Sequence, residues 1–252
     1  GKNVKGWRVG ERVVANPSYI CGECWACQHG RQSLCDRALE HFIGCSPGLV
    51  HAGAFAKYVR VPIPEKRLYS LPEEVSFEEG ALVEPLAVSL HAVRMSAFRP
   101  GGHAMVLGAG PIGLGIIAHL KNAGAGLIIA TETIEKRAEV AKKFGADYVF
   151  NPQKVSNLKE KVFELTNGQG VDVVFDCSGV PQAFQSATEF LRKGGQLLLT
   201  GVITKEVPLL PRSWVLNEWQ LQGSQCYYTD EFPMVIEFLK KATSPVKEMI
   251  TS

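Results

Sequence analysis

Four cysteines lie close together near the start of this 252-residue chain, and their spacing is typical of a metal site. Cys21, Cys24, Cys27 and Cys35 are separated by three, three and eight positions. Two tight Cys-x-x-Cys steps and a looped-in fourth thiolate predict tetrahedral coordination of zinc. Four protein thiolates leave no open position for water or a substrate, so we interpret this zinc as structural rather than catalytic.

The other three cysteines, Cys45, Cys177 and Cys226, bear on the alternative of a disulfide-bonded protein. Disulfide scaffolds are short, secreted and dense in cysteine, whereas this chain has seven cysteines in 252 residues. A disulfide framework is therefore the less favoured interpretation. A zinc–thiolate lobe beside three further cysteines fits a reducing cytoplasm, and we predict that location.

A glycine-rich loop at residues 108–113 follows the strand-like run 103–107 and leads into a predicted helix. In this context each glycine has a task. Gly108 allows a sharp turn, Gly110 allows the backbone to approach a pyrophosphate, and Gly113 allows the helix to pack close to the strand. The helix N-terminus would then hold the pyrophosphate of a dinucleotide. An ordinary glycine-rich turn between a strand and a helix is the alternative.

An acidic residue, Glu132, stands nineteen positions after Gly113, at the end of the next predicted strand. A carboxylate there accepts hydrogen bonds from ribose hydroxyls and repels a 2′-phosphate, which favours NAD over NADP. The alternative for Glu132 is a solvated carboxylate that caps the next helix. Arg137, one turn into that helix, either lies over the adenine or is an exposed helical charge. The predicted cofactor contacts of this region are Gly108, Gly110, Pro111, Ile112, Gly113, Glu132 and Arg137.

Strand-like runs alternate with helical patterns from residue 103 onward, and this alternation predicts an α/β fold with a doubly wound parallel sheet. Dinucleotides bind across the carboxyl ends of such strands. We therefore expect the later strand ends, at 177–179, 200–202 and 223–225, to approach the nicotinamide, although small residues there are also ordinary turn formers. The strand-like runs are 103–107, 126–130, 147–150, 171–175, 196–200 and 219–222, and the helical stretches include 134–144 and 181–191. The predicted nicotinamide contacts are Thr200, Gly201, Val202, Ser224 and Gln225.

Composition argues against nucleic-acid and membrane partners. The net charge is +2, with charged residues at 21% and hydrophobic residues at 46% of the chain. No apolar run reaches the length of a membrane span. The cysteine lobe carries Glu23, Trp25 and Arg31 but no basic stripe with interleaved aromatic residues, so a nucleic-acid-binding zinc module is disfavoured.

Together these features resemble the zinc-dependent medium-chain alcohol dehydrogenases, and within them the sorbitol, threonine and butanediol dehydrogenase branch. The resemblance runs along the whole chain and includes the cysteine lobe, the segment 53–59, the Glu-Pro motif at 84–91, the glycine loop and the strand end at 172–179. It implies a Rossmann sheet plus a partial GroES-like β domain, whose short strands are predicted at Glu11–Ala15 and Gly53–Val61. The expected domains are 1–98 (partial catalytic, with the zinc lobe at 21–35), 99–241 (NAD-binding) and 242–252 (the start of a return segment).

The resemblance also implies a reaction. Such enzymes oxidise an alcohol or polyol whose oxygen is bound at a catalytic zinc, with hydride transfer to the nicotinamide. Glu84 matches the branch's glutamate at that metal, either as a direct ligand or through water. A helix-start carboxylate before Pro85 is the alternative.

The family's remaining catalytic ligands, a cysteine and a Gly-His-Glu motif, have no counterpart here, and the chain resembles the middle of a longer enzyme. We therefore predict a zinc-containing, NAD-dependent dehydrogenase in the complete protein. The alternative is a catalytically silent NAD-binding module. Homodimers or homotetramers through the Rossmann domain are expected, with 208–214 and 223–228 as candidate contact segments, although both could instead be buried within one subunit.

Overall fold

The structure is a computed structural model that describes residues 4–40, 53–241 and 245–250. Cys45 and part of the predicted return segment lie outside the described residues. The described chain forms two compact units. The first contains the residues up to Ala87 together with Cys226–Lys241, and the second contains Val88–Gln225 together with the described residues after 241.

A six-stranded parallel sheet forms the centre of the second unit, in the order β5-β4-β3-β6-β7-β8. This order and the helices between successive strands confirm the predicted doubly wound fold. The strands are β3 (His103–Leu107), β4 (Leu127–Thr131), β5 (Tyr148–Phe150), β6 (Val171–Asp176), β7 (Leu191–Leu199) and β8 (Gln220–Gly223).

Strand register brings the chemistry-bearing loops to one edge of the sheet. Leu107, the last residue of β3, pairs with Thr131 on one side and with Asp176 on the other. The loops that follow β3, β4 and β6 therefore leave the sheet side by side. Beneath them the strands are almost completely buried, as a near-continuous apolar run in a two-sided parallel sheet requires.

Helices cover this sheet, and their ends carry clear sequence signals. Pro111 occupies the first turn of its helix, where a missing N–H costs nothing. Gly145 ends another helix with a φ of 112°, a conformation that favours glycine. The helices of this unit are α5 (Pro111–Asn122), α6 (Glu135–Phe144), α7 (Leu158–Leu165), α8 (Pro181–Ala187) and α9 (Pro211–Asn217), with 3-10 turns at Thr188–Phe190 and Val246–Met249.

β7 begins earlier than the sequence predicts. The predicted helix 181–191 ends at Ala187, and strand structure starts at Leu191 rather than at 196. Gly194 and Gly195 lie inside the strand, where Gly194 has a φ of 70°. The pairing of β6 with β7 shifts register at this point, so the two glycines form an irregularity in the strand and do not separate it from a helix.

The first unit has little regular structure. Its two short strands pair antiparallel, and its helix at 77–81 begins with a capping box in which Ser76 and Glu79 exchange hydrogen bonds. The elements are β1 (Val13–Ala15), β2 (Leu68–Ser70), α1 (Trp25–Gln28), α2 (Pro64–Arg67), α3 (Phe77–Ala81) and α10 (Glu231–Lys240), with a 3-10 turn at Gln32–Leu34, and α4 (Val83–Met95) begins in this unit.

The strand predicted at 53–61 is wrong. The described residues offer it no pairing partner, and its aromatic side chains Phe55 and Tyr58 are exposed. An isolated extended segment without cross-strand contacts has nothing to hold it as a strand. Among the helices of the described chain, none has the length and apolar character needed to cross a bilayer.

Candidate functional site

The four lobe cysteines converge on one point. Their sulfur atoms all lie within 4.8 Å of one another, and those of Cys21 and Cys27 are 3.9 Å apart. A zinc–sulfur bond of about 2.3 Å gives a tetrahedral S–S edge of about 3.8 Å. The edge from Cys21 to Cys27 already has that length, and the other edges are at most about 1 Å longer. The four sulfurs fill a tetrahedral coordination shell, as the sequence predicts for a structural site.

Backbone N–H groups surround part of this sulfur cluster. Those of Glu23 and Cys24 point at the Cys21 sulfur, at 3.5 and 3.3 Å, and lower the pKa of that thiol to about 6. Burial acts in the other direction on Cys27 and raises its pKa to about 12. The turns around Cys21 thus favour a thiolate there before any metal binds, whereas Cys27 gives up its proton in exchange for the metal.

The second unit contains a cavity of about 720 Å³ at the carboxyl ends of its strands. Four of the predicted cofactor contacts line it, namely Gly108, Gly110, Glu132 and Arg137. These four come from the β3–α5 loop, the end of β4 and the first turns of α6. The cavity lies at the crevice where doubly wound folds bind nucleotides, because the strand order changes direction at β3.

The three motif glycines have separate reasons to be glycine. A Cβ on Gly113 would lie 1.9 Å from the carbonyl oxygen of Gly108, so no side chain fits there. Gly108 has a φ of 91°, and a Cβ there would lie 3.3 to 3.4 Å from Ser178. Gly110 differs from both. Its φ is −71°, and a Cβ there would meet nothing within 4 Å.

The N-terminus of α5 faces this loop without a protein cap. Gly110 is the N-cap residue, no side chain bonds to the first N–H groups, and the first turn contains no acidic residue. The helix dipole and those N–H groups are therefore directed at the loop, an arrangement that suits an anion. The hydroxyl of Ser89 donates to the carbonyl of Ile112 at 3.0 Å and holds this first turn in place.

Glu132 is buried and connects two loops. One carboxylate oxygen accepts from the N–H of Ala109 at 2.9 Å, inside the glycine loop. The other accepts from the N–H groups of Thr133 and Ile134 at 2.8 and 2.9 Å. That second oxygen also accepts a longer bond from the Thr133 hydroxyl, at 3.4 Å. The first oxygen accepts only from Ala109 in the described structure, so it retains acceptor capacity.

The later strand ends pack closely against each other. The backbone N–H groups of Thr200 and Gly201 both donate to the carbonyl of Asp176, at 3.0 and 2.8 Å. A Cβ on Gly201 would lie 2.4 Å from the nitrogen of Gly179, so this approach requires glycine. Among the predicted contacts, those that do not line the cavity are Pro111, Ile112, Gly113, Thr200, Gly201, Val202, Ser224 and Gln225.

Glu84 lies half-buried in the first turn of α4, in the first unit. Burial raises the pKa of its carboxyl group, and a hydrogen bond with Tyr227 partly opposes that shift. The Tyr227 hydroxyl lies 3.3 Å from the Asn16 side-chain oxygen and 3.4 Å from the Ser18 hydroxyl. Apart from the cysteine lobe, the described residues contain no group of three or more potential metal ligands.

Two family descriptions match this chain. Residues 1–73 match the alcohol dehydrogenase GroES-like domain, and residues 111–241 match the zinc-binding dehydrogenase domain. The chain is also 35% identical over 252 residues to sorbitol dehydrogenase of Bacillus subtilis, and it covers 69% of that protein's length. The chain belongs to the family of zinc-binding alcohol dehydrogenases.

Solved structures of this family superimpose along the whole chain. The crystal structure of 2R,3R-butanediol dehydrogenase from Bacillus subtilis matches with a TM-score of 0.86 and 35% identity, with 68% of that structure covered. A protein from Sinorhizobium meliloti described as a zinc-binding dehydrogenase, solved with NADP bound, matches with a TM-score of 0.88 and 28% identity, with 72% covered. The predicted family is thus confirmed, as an oxidoreductase class that acts on alcohols and polyols.

The family assignment and the cysteine geometry together confirm a structural zinc held by the lobe. The structure also adds cavity residues that sequence reasoning missed. The rule that ligands gather at carboxyl strand ends points to the residues after β5, but it does not reach the face of α8. The lining residues absent from the predicted set include Pro152, Gln153, Val180, Gln182 and Ser186, whereas Ser178 belongs to the predicted strand end 177–179.

Proposed function

We propose that this chain carries the NAD-binding half of a zinc-dependent dehydrogenase that oxidises a secondary alcohol or polyol to a ketone. The observation that carries the proposal is Gly110. Its backbone is one that any residue adopts, and the space beside it is open. The protein itself therefore gives no reason for glycine there, whereas a pyrophosphate lying against the backbone does.

The loop around Gly110 supports the same conclusion. The uncapped N-terminus of α5 starts at Pro111, followed by Ile112. It offers the N–H groups that follow Pro111 and the positive end of the helix dipole to the phosphates. Gly113 lets this helix approach Gly108 closely enough to present them. The dinucleotide, when bound, supplies the hydride acceptor, and the residues of this chain hold it and set its orientation.

We propose Glu132 as the partner of the adenosine ribose, with Arg137 beside the adenine. Both line the cavity, and a carboxylate at this place disfavours a 2′-phosphate. NAD is therefore the proposed cofactor. The Sinorhizobium meliloti relative was solved with NADP, so the preference of this chain for NADH over NADPH is a property to be measured.

The nicotinamide half of the cofactor would extend past the ends of β6, β7 and β8. Thr200, Gly201 and Val202 follow β7, and Ser224 and Gln225 follow β8. The hydroxyl of Ser224 has no hydrogen-bond partner in the described structure. We propose these five residues as the nicotinamide contacts.

We propose Glu84 as a residue of the catalytic metal site, either as a direct ligand or through water. The described residues do not complete a three-ligand site around it, so no reaction step is assigned to a metal here. This supports a second candidate function, a silent NAD-binding module. Turnover and binding measured on one sample separate the two.

We also propose that copies of this chain associate through the β8 edge, in a cytoplasmic homodimer or homotetramer. β8 is the last strand of the sheet as described, and several large apolar side chains near it are exposed. Of the two predicted contact segments, 223–228 contains Tyr227, which is buried within the subunit. The exposed side chains near the edge are Leu209, Leu210, Val215, Leu216 and Leu221.

A Gly110→Ala variant tests the cofactor site. Because the added methyl group meets no protein atom, we expect the thermal midpoint to change by no more than about 1 °C. We expect NADH affinity, measured by fluorescence titration, to fall at least about tenfold, because the methyl group occupies the place of the pyrophosphate. Unchanged NADH affinity in the variant, or no NADH binding by the unchanged chain, would refute the proposed site.

A turnover assay with secondary alcohols, diols and polyols completes the test. Formation of NADH by the zinc-loaded chain supports the dehydrogenase, and the substrate that gives the highest kcat/KM identifies its class. Tight NADH binding without turnover supports the silent module instead. The same assay on Glu84→Gln separates a metal-site role from a structural one, since a structural role leaves turnover in proportion to the folded fraction.

A further inference from the structure

The last residue of β6, Asp176, is fully buried at the sheet edge that forms the nucleotide cavity. One of its carboxyl oxygens, Oδ1, accepts two hydrogen bonds from Ser178, from the N–H at 2.9 Å and from the hydroxyl at 2.7 Å. The other oxygen, Oδ2, is buried and has no hydrogen-bond partner in the described structure. Both hydrogen bonds of the carboxyl group therefore come from one residue, Ser178.

Ser178 is the point where this bonding reaches the cofactor loop. Its Cα, Cβ and nitrogen form the wall against which Gly108 packs, at 3.3 to 3.4 Å from where a Cβ on Gly108 would lie. Its hydroxyl oxygen also accepts from the N–H of Val180 at 3.1 Å. Ser178, Val180 and Gly108 all line the same cavity.

We infer that Asp176 is a positioning residue for dinucleotide binding, which sets the wall of the pyrophosphate site through Ser178. It acts through the side chain alone, because its backbone N–H and carbonyl bonds survive any substitution that keeps the strand. Without the carboxyl oxygen, Ser178 loses both bonds that hold it against Gly108. The wall then moves, and the pyrophosphate and nicotinamide parts of the cofactor lose their fixed geometry.

The geometry also predicts which substitution keeps the bonds from Ser178. Asp176→Asn retains a carbonyl oxygen in place of Oδ1, so both bonds from Ser178 are kept. The new amide replaces Oδ2, which has no partner to lose. Asp176→Ala removes both bonds and leaves the Ser178 N–H without its acceptor. Ser178→Ala removes the hydroxyl bond and keeps the N–H bond.

The experiment compares NADH with adenosine, which lacks both phosphates, on the unchanged chain and these three variants. This inference rests on the proposed NAD site, where the adenosine half lies toward Glu132 and away from Ser178. We expect Asp176→Ala to weaken NADH binding about tenfold while adenosine binding changes less than twofold. Asp176→Asn should stay within about threefold of the unchanged chain, and Ser178→Ala should fall between the two.

The outcomes separate the inference from the proposed function. If the unchanged chain fails to bind NADH, the proposed function and this inference both fall. If the unchanged chain binds NADH and Asp176→Ala binds it equally well, this inference alone falls. An equal loss for NADH and adenosine indicates general destabilisation and also overturns it. If Asp176→Ala does not fold, the order of Asp176→Asn and Ser178→Ala decides.

Discussion

Glu132 illustrates how much a single side chain does at the residue scale. Its carboxylate stabilises the start of the segment after β4 and simultaneously holds Ala109 in the glycine loop. The spacing of Glu132 from the glycine loop predicts its role as a partner of the ribose. It does not predict the bond to Ala109, because that contact depends on the parallel register of β3 and β4.

Replacing this carboxylate tests both of its tasks. In Glu132→Gln the amide nitrogen cannot accept, so either Ala109 or the pair Thr133 and Ile134 loses its acceptor. We expect a loss of about 1 to 2 kcal/mol in the free energy of unfolding. The preference for NADH over NADPH should fall as the negative charge is removed. Chemical denaturation and paired NADH and NADPH titrations measure the two effects.

The exposed neighbour Glu135 provides the matched control. Glu135→Gln removes the same charge one turn away without removing a bond to the glycine loop, and it should leave both quantities nearly unchanged. If the control reduces the cofactor preference as strongly as Glu132→Gln does, the effect is a general one of charge and the ribose role of Glu132 is wrong.

A pH dependence follows from Asp172, near the start of β6. Burial acts to raise its pKa, but bonds from the His103 N–H at 2.7 Å and the Arg192 guanidinium at 2.6 Å prevail and lower it. A carboxyl group with a lowered pKa stabilises the fold above its unfolded pKa of about 3.9. That contribution is lost as the pH falls through the lower, folded value.

We expect the Asp172→Asn variant to lose about 1 kcal/mol at neutral pH, a figure reduced for solvent screening because the ion pair is partly exposed. This corresponds to a thermal midpoint about 2 to 4 °C lower. As the pH falls from 7 to 3, the difference from the unchanged chain should shrink. A constant difference across this range would contradict the assignment, and the exposed Glu160→Gln serves as the control.

At the scale of elements, the cysteine lobe has little core of its own. Its buried cluster consists of Tyr19, Cys21 and Cys35, with a few half-buried neighbours. Structural zinc contributes roughly 10 to 16 kcal/mol to the folding of such small lobes. The lobe therefore depends on the metal far more than on packing.

We expect Cys24→Ser to abolish stoichiometric zinc binding, measured by atomic emission, and to make the lobe sensitive to limited proteolysis. NADH affinity should stay within about threefold, because every residue that lines the nucleotide cavity belongs to the second unit. Cys177→Ser is the control and should retain its zinc. Full zinc content in Cys24→Ser would contradict the four-thiolate site.

The elements that sequence reasoning identified best are those whose signals are strong and local. β3 is predicted to the residue, and the glycine loop and a helix follow it as predicted, because the apolar run and the glycines agree. α7 and α9 are harder to detect, since their N-cap residues, Asn157 and Leu210, make no side-chain bond to the helix. The early start of β7 follows from pairing with β6, which a single segment does not reveal.

At the scale of the whole molecule, the exposed apolar surface near β8 leads to a prediction about assembly. Leu216 is 63% exposed on α9, next to the exposed Val215. A Leu216→Lys substitution places a charge in the proposed contact, so we expect light scattering to show about half the mass of the unchanged chain, or less. The fold should not change, because Leu216 is not part of the core.

Met234 on α10 gives the control, since it is 44% exposed and belongs to the first unit. Met234→Lys should leave the mass unchanged. A monomeric unchanged chain would refute association outright, and an equal effect of both substitutions would show that the contact is not at the β8 edge.

The glycine loop is already braced before any ligand arrives, by Glu132 on one side and by Ser178 on the other. The conformational entropy of ordering this loop is therefore lost during folding and not during binding. The cofactor should therefore bind to a preorganised site without rearrangement of the loop, with an association rate limited mainly by diffusion and orientation. In such a site, differences in affinity arise from the dissociation rate of the dinucleotide rather than from its association rate.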